Sequence, residues 1–250
     1  IIQKAALEKI ESSNKHQTAS IITKGFIIDD NSNISCKVPP KIEKGIDGNA
    51  FKLRTGTDAI FLKAVPNFEW TDPFSASIWI NTEKRKKGFG QTIMGTTGDK
   101  NNYYRGWDLF LDDQNYINFR LVSSLPGNMV HIKSSDSILK NNWTHLSFSY
   151  DGLGKANGIN LYVNGSKIKN KVLLDNLYKS IKPVVWSWVK PEKRELKIGV
   201  SRDTFTGDNK IFQGLIDDII VYNRSLTDYE IGLIYNQYNI NKRLFFNEFT

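Results

Sequence analysis

Trp186 and Trp188 stand two residues apart in the stretch VVWSWVKPEKR, residues 184–194, with Lys182 just before it and Lys190, Lys193 and Arg194 at its end. In an extended chain alternate side chains share a face, so both indoles point the same way. Two indoles on one face suit neighbouring sugar units, because the apolar C–H face of a pyranose lies flat on an indole. Lysine ammonium groups and an arginine fork suit sulfate or carboxylate groups on the same polymer. Pro183 and Pro191 flank the stretch and argue against a central strand. The expectation is a surface loop whose indoles touch ligand; packing of the indoles within their own loop is the competing reading. NNYYRG, Asn101 to Gly106, offers the same chemistry, and Tyr103, Tyr104 and Arg105 are expected to join a shared cationic and aromatic surface. KRKKGFG, Lys84 to Gly90, is a third such loop, although its four cations Lys84, Arg85, Lys86 and Lys87 read first as a solvated hairpin tip.

Catalytic chemistry finds little support. Retaining glycoside hydrolysis needs two carboxylates about 5 Å apart, and no Glu in the chain lies two residues before an Asp. Asp217 and Asp218 are adjacent, so on a regular strand they face opposite ways. His16, His131 and His145 lie in unrelated contexts, and His145 reads as a structural histidine. No glycine-rich phosphate loop opens a helix. Cys36 is the only cysteine, which rules out an intrachain disulfide and a cysteine-based zinc site. The chain is therefore read as non-enzymatic. Its net charge of +8 favours anionic partners: nucleic acid, acidic lipid or an acidic polysaccharide. An abundance of Lys, Asn and Ile, of the kind an AT-rich genome produces, accounts for part of that charge. No run of about 18 apolar residues is present, so no membrane insertion is expected.

The elements that position these residues are short. With 250 residues, 40% hydrophobic and 12% aromatic, the chain is long and apolar enough for one large β domain. From Ile21 onward, short runs such as AFKLR, FSASIWIN, YINFRLVS, WTHLSFSYD and GLIDDIIVYN are broken by Gly, Asn, Asp and Pro. In FSASIWIN, Phe74, Ala76, Ile78 and Ile80 fall on one face and Ser75, Ser77 and Trp79 on the other. Asn164-Gly165 predicts a type I′ hairpin. Many short strands with tight turns indicate an all-β, two-sheet antiparallel jelly-roll sandwich. One late helix is expected over 225–237, capped by Ser225 or Thr227, with Tyr229, Ile231, Leu233 and Ile234 on its apolar face. Residues 1–20 read as a linker or docking helix, 21–237 as the jelly-roll domain and 238–250 as a C-terminal tail. The Ile start, with no signal peptide visible, suggests a fragment or a mature form.

Three pieces together resemble the concanavalin A-like, laminin-G-like jelly-roll domains of bacterial secreted proteins. They are GIDGNAFKLRTGTDAIFL, then NNWTHLSFSYDG followed by INLYVNG, and last FQGLIDDIIVYNRSLTDYEIGLIYN. The resemblance covers about residues 21–237. TDPFSASIWI, RGWDLFLDD, PGNMVHI and SYDGLGKANGINLYVNG are similar to a sub-family found inside large multidomain proteins of bacteria that degrade sulfated polysaccharides. Against that pattern, the link from about Tyr178 to Glu195 is longer than usual. The resemblance implies a non-catalytic carbohydrate-binding module for an anionic, sulfated polysaccharide, placed outside the cytoplasm, extracellular or periplasmic, within a larger parent protein. Nucleic-acid binding fits the charge but not the family. A structural or protein-interaction domain without its own sugar ligand is the alternative. Many family members hold a structural Ca²⁺, and Asp58 and Asp217 match acidic positions of the family; the competing reading has these carboxylates accept backbone N–H groups at turns.

Overall fold

The computed structural model describes residues 34–46, 48–62, 67–83, 90–183, 195–201 and 211–247. Fifteen strands run through them: β1 (Ile34–Cys36), β2 (Lys41–Lys44), β3 (Asn49–Leu53), β4 (Ile60–Leu62), β5 (Phe74–Thr82), β6 (Gln91–Gly95), β7 (Gly106–Leu111), β8 (Tyr116–Ser124), β9 (Asn128–Ser137), β10 (Trp143–Tyr150), β11 (Ile159–Val163), β12 (Ser166–Lys167), β13 (Asn170–Asp175), β14 (Leu196–Ile198) and β15 (Gly214–Tyr222). Helix α1 spans Asp228–Asn247, and 3₁₀ turns form at Lys100–Asn102 and Ala156–Gly158. An eight-stranded sheet has the order β1-β4-β14-β6-β7-β8-β9-β13 and a seven-stranded sheet the order β12-β11-β10-β5-β15-β3-β2. All pairs are antiparallel, so the chain forms the jelly-roll sandwich that its run pattern indicates.

Alternation builds the core. On β5, Phe74, Ala76, Ile78 and Ile80 are buried between the sheets, and each large one contributes about 1.5–3 kcal/mol by leaving water. Phe74 is the hub of an aromatic centre, 4.5 Å from Phe68, 5.4 Å from Trp107 and 5.5 Å edge-on from Phe148. Asn164 and Gly165 take φ of 50° and 77°, the left-handed pair that a type I′ turn between β11 and β12 requires.

Trp79, on the opposite face of β5, lies under helix α1. Its ring sits 5.2 Å from His145 and 5.7 Å from Tyr235 of the helix. A second apolar cluster of Tyr162, Tyr222, Leu226, Ile231 and Ile234 fills the same junction. Thr227 and Glu230 form a reciprocal capping box: Thr227 N donates to Glu230 Oε2 at 2.8 Å, and Glu230 N donates to Thr227 Oγ1 at 3.3 Å. Arg224 clamps the same carboxylate through both terminal nitrogens, at 2.7 and 3.1 Å. Burial alone would raise the Glu230 carboxyl, but the hydrogen bonds from Arg224 and Thr227 hold it below its ordinary value. Two expectations about the helix change. It starts after Thr227 but continues ten residues past 237, to Asn247, because no Pro or Gly interrupts YNINKRLFFN. Tyr229 is 65% exposed, since two residues of helix turn it about 200° away from Ile231.

Candidate functional site

Four connections meet at one end of the sandwich through hydrogen bonds between them. Glu69, between β4 and β5, accepts from Trp70 N at 2.7 Å, from Ile181 N at 2.8 Å and from the Ser180 hydroxyl. Arg105, at the end of the β6–β7 connection, donates from Nη1 to Ser180 O at 2.6 Å and reaches Lys182 O at 3.5 Å. Leu125 N, in the β8–β9 turn, donates to Tyr103 O at 3.3 Å, and Tyr178 N donates to Asn128 Oδ1 at 3.1 Å. Burial pushes the Glu69 carboxyl up, but the Ser180 hydroxyl, the two backbone N–H groups and the charge of Lys182 outweigh it, so the carboxyl lies below its ordinary value. Burial lowers the Arg105 guanidinium, against the pull of Glu69 and Tyr103. The end of the sandwich is thus braced by one carboxylate and one guanidinium aimed at backbone.

This brace joins two stretches that the sequence singles out separately: Tyr103 and Arg105 of one, and the backbone at Lys182 of the other. Tyr103 and Tyr104 both take left-handed backbone, with φ of 55° and 62°. Their side chains part company: Tyr103 is 48% exposed and Tyr104 only 9%. Against the expectation of a second surface ring beside Tyr103, the burial of Tyr104 leaves its ring no open face for a ligand. Arg105 lies 5.9 Å from the Tyr103 ring centroid, while its bonds to two backbone carbonyls make it a loop tie. Trp186, Trp188, Lys190, Lys193 and Arg194 lie outside the described residues, as does Lys84–Phe89; the described chain stops at Pro183, one residue after Lys182. Tyr178, 62% exposed, and Lys179, 5.7 Å from its ring, lie in the link between β13 and β14 and join this surface without any motif in the sequence to mark them.

Asp58 and Asp217 sit apart: Asp58 holds the turn after β3, and Asp217, at the bulge of β15, holds the turn before it. Asp58 accepts from Arg54 N, Thr55 N and Gly56 N at 2.9–3.1 Å. Asp217 accepts from Ile46 N at 2.9 Å and Asp218 N at 3.0 Å, at a bulge where Asp218 takes φ of 41°. A Cβ at Gly45 would lie 2.1 Å from Asp217 Oδ2, so only glycine fits beside that carboxylate. The bulge buries Asp217 and Asp218 together, where a regular strand would set them on opposite faces. Carboxylates surrounded by N–H donors are arranged for hydrogen bonding and do not fit a shared calcium ion. Among the described residues, no group of three or more His, Cys, Asp or Glu is placed to hold a metal. His145 is buried against Trp79 and Tyr235, and burial lowers its pKa to about 3, so it is neutral at ordinary pH.

Solved structures of similar fold include clostridial toxin binding domains. The binding domain of Paraclostridial Mosquitocidal Protein 1 matches with a TM-score of 0.62 and 18% identity over 89% of this chain and 52% of its own. The binding domain of botulinum neurotoxin serotype G matches with a TM-score of 0.61 and 18% identity, covering 88% of this chain and 50% of that one. A structure of botulinum neurotoxin type C, whose cell entry depends on interaction with two ganglioside molecules, gives a TM-score of 0.64 at 18% identity over 91% and 53%. At that identity the likeness is one of fold, and the chain spans about half the length of the toxin chains it matches. No curated protein matches its sequence. The family profile, in contrast, matches residues 54–232, from the turn pinned by Asp58 through the bulge of β15 to the capped start of α1. With the two-sheet sandwich and that match together, the chain belongs to the concanavalin A-like lectin/glucanases superfamily, in its laminin-G-like branch.

Proposed function

We propose that this domain is a non-catalytic carbohydrate-binding module that takes an anionic, sulfated polysaccharide on its braced loop end. Tyr103, Tyr178, Lys179 and Lys182 open that surface; ligand contacts by Trp186, Trp188, Lys190, Lys193 and Arg194 are part of the same proposal, from their residue types and spacing. The observation that carries the reading is that Arg105, two residues from exposed Tyr103, bonds the backbone of Ser180 and Lys182 more than 70 residues further on, in the link that carries exposed Tyr178. Stacking on the rings supplies most of the binding free energy, and the cations select sulfate and raise the on-rate. The lectin-like fold and the binding-domain neighbours support a sugar-binding role, and the absence of a Glu-x-Asp spacing supports a non-catalytic one. The half-length match to larger toxin chains supports a multidomain parent, and a polysaccharide ligand fits an extracellular or periplasmic position.

The test is a titration of the chain with dextran sulfate and with unsulfated dextran. Binding of the sulfated polymer that weakens as salt rises and is absent for dextran supports the reading. Equal affinity for both polymers, or none for either, removes it.

A further inference from the structure

On the other flank of the β6–β7 connection lies an open cleft of about 550 Å³. Exposed Thr55 and Thr57 stand on one side of it and exposed Lys100 and Asn101 on the other, with half-buried Phe61 between them. Phe61 faces outward because its β4 neighbours Ile60 and Leu62 are in the core. Both sides are braced. The three N–H bonds to Asp58 hold the 54–56 turn, and Asp99 holds the other by accepting from Asn101 N at 2.9 Å through its side chain and from Tyr104 N at 3.0 Å through its carbonyl. At Gly56, φ is 73° and a Cβ would lie 3.0 Å from Ile211 Cγ1, so a side chain there would crowd the cleft wall.

The lining has a definite chemistry. One aromatic ring offers a flat apolar surface; the Thr55 and Thr57 hydroxyls, bonded to each other at 2.8 Å, keep one O–H donor and their remaining lone pairs for a ligand, and the Asn101 amide adds both kinds of group at the edge. Asp99 and Lys100 bring opposite charges, so the described lining residues carry no cationic excess to attract sulfate. Its volume falls within the roughly 300–1,000 Å³ usual for small-ligand sites. We propose that the cleft is a subsite for a neutral pyranose unit, with the sugar's C–H face on Phe61 and its hydroxyls bonded by Thr55, Thr57 and Asn101. This rests on the reading of the domain as a carbohydrate-binding module and sharpens it. Asp99 to Asn101 serve the cleft, and Tyr103 to Arg105 serve the cationic loops, within a single connection. A polymer crossing it would place an unsulfated unit in the cleft and a sulfated unit by Lys182, so the preferred ligand is a partly sulfated chain.

Amide NMR spectra of the full chain, titrated with cellotetraose, laminaritetraose, mannotetraose and xylotetraose, test the proposal. The expected result is that at least one, at about the millimolar affinity typical of a single small site, shifts the Thr57, Phe61 and Asn101 signals. About 0.5 M NaCl should leave those shifts in place, because no ion pair is involved. Thr57→Val and Asn101→Ala, both at exposed positions, should each weaken binding about tenfold, and Phe61→Ala should abolish it. If none of the four sugars shifts those signals, or if Thr57→Val and Asn101→Ala bind as well as the parent, the cleft is not a sugar subsite. Neutral-sugar shifts at the cleft without dextran sulfate binding would uphold the cleft and overturn the sulfate reading; dextran sulfate binding without neutral-sugar shifts would do the reverse.

Discussion

Tyr235 of helix α1 packs over Trp79, their rings 5.7 Å apart and inclined by 28°, whereas Tyr103 and Tyr178 project into solvent at the loop end. Both regions are rich in aromatics and polar groups, and they use them in opposite ways. At the helix junction, rings stack on one another and polar groups pair with neighbouring side chains, as Tyr162 does with Asp228 at 2.6 Å and Arg224 with Glu230. At the loop end, Glu69 and Arg105 bond to backbone of other connections, and rings are left uncovered. The difference is whether a regular element arrives to cover the aromatic face. It follows that changes at the junction should move stability and leave binding alone, while changes to the uncovered rings of the loop end should do the reverse; the Glu69 and Arg105 brace beneath those rings belongs to the fold.

Trp79→Ala would break the comparison most strongly if it fails. It removes a buried indole that packs on His145 and Tyr235, and unfolding in urea should show a loss of about 3–5 kcal/mol, with the affinity of the folded protein for dextran sulfate unchanged. The next test is pH. The His145 pKa is lowered from 6.5 in the unfolded chain to about 3 in the folded one, so the unfolded state binds the extra proton first. Stability from this group is fully present above about pH 6.5 and falls as pH drops toward 3, by up to about 1.4 kcal/mol per pH unit. Urea midpoints measured across that window should show the slope, and a His145→Phe variant that keeps its fold should lose it. Glu69 and Glu230 add a loss at lower pH, because each is held below its ordinary value and gives up its stabilisation as pH falls through the folded pKa.

Thr227→Ala comes next in size. It opens the capping box of α1 and should cost about 1 kcal/mol, read as a lower melting temperature without change in dextran sulfate affinity. The smallest effect is expected from EDTA. Because Asp58 and Asp217 each spend their oxygens on backbone N–H groups at separate turns, chelation should leave the melting temperature where it was. A clear drop would restore a structural calcium to the account.

What the sequence made legible was local. The alternation of β5 and the Asn164-Gly165 turn announce strands and a hairpin within a few residues, and both stand as read. The capping pair Thr227 and Glu230 is equally short-range. The brace of the loop end is not: Glu69 meets Ser180 across 111 residues, and nothing near Glu69 in the chain points to that partner. Tyr103 and Tyr104 are adjacent, alike and both left-handed, and only packing in three dimensions exposes one and buries the other. The bulge at Asp217 and Asp218 likewise depends on the turn at Gly45 and Ile46, far away in sequence. Tyr178 and Lys179 share their link with the paired tryptophans, and neither residue type nor spacing there marks the exposed ring.

The central claim is that the loop end holds its aromatics for a ligand and not for the fold. Trp186→Ala and Trp188→Ala test it most directly, each melted and then titrated with dextran sulfate. An unchanged melting temperature with affinity lower by about ten- to a hundred-fold, the cost of about 1–3 kcal/mol for one lost stacking platform, is the predicted result. Melting several degrees lower with affinity intact would show that the indoles pack into the domain and contradict the claim.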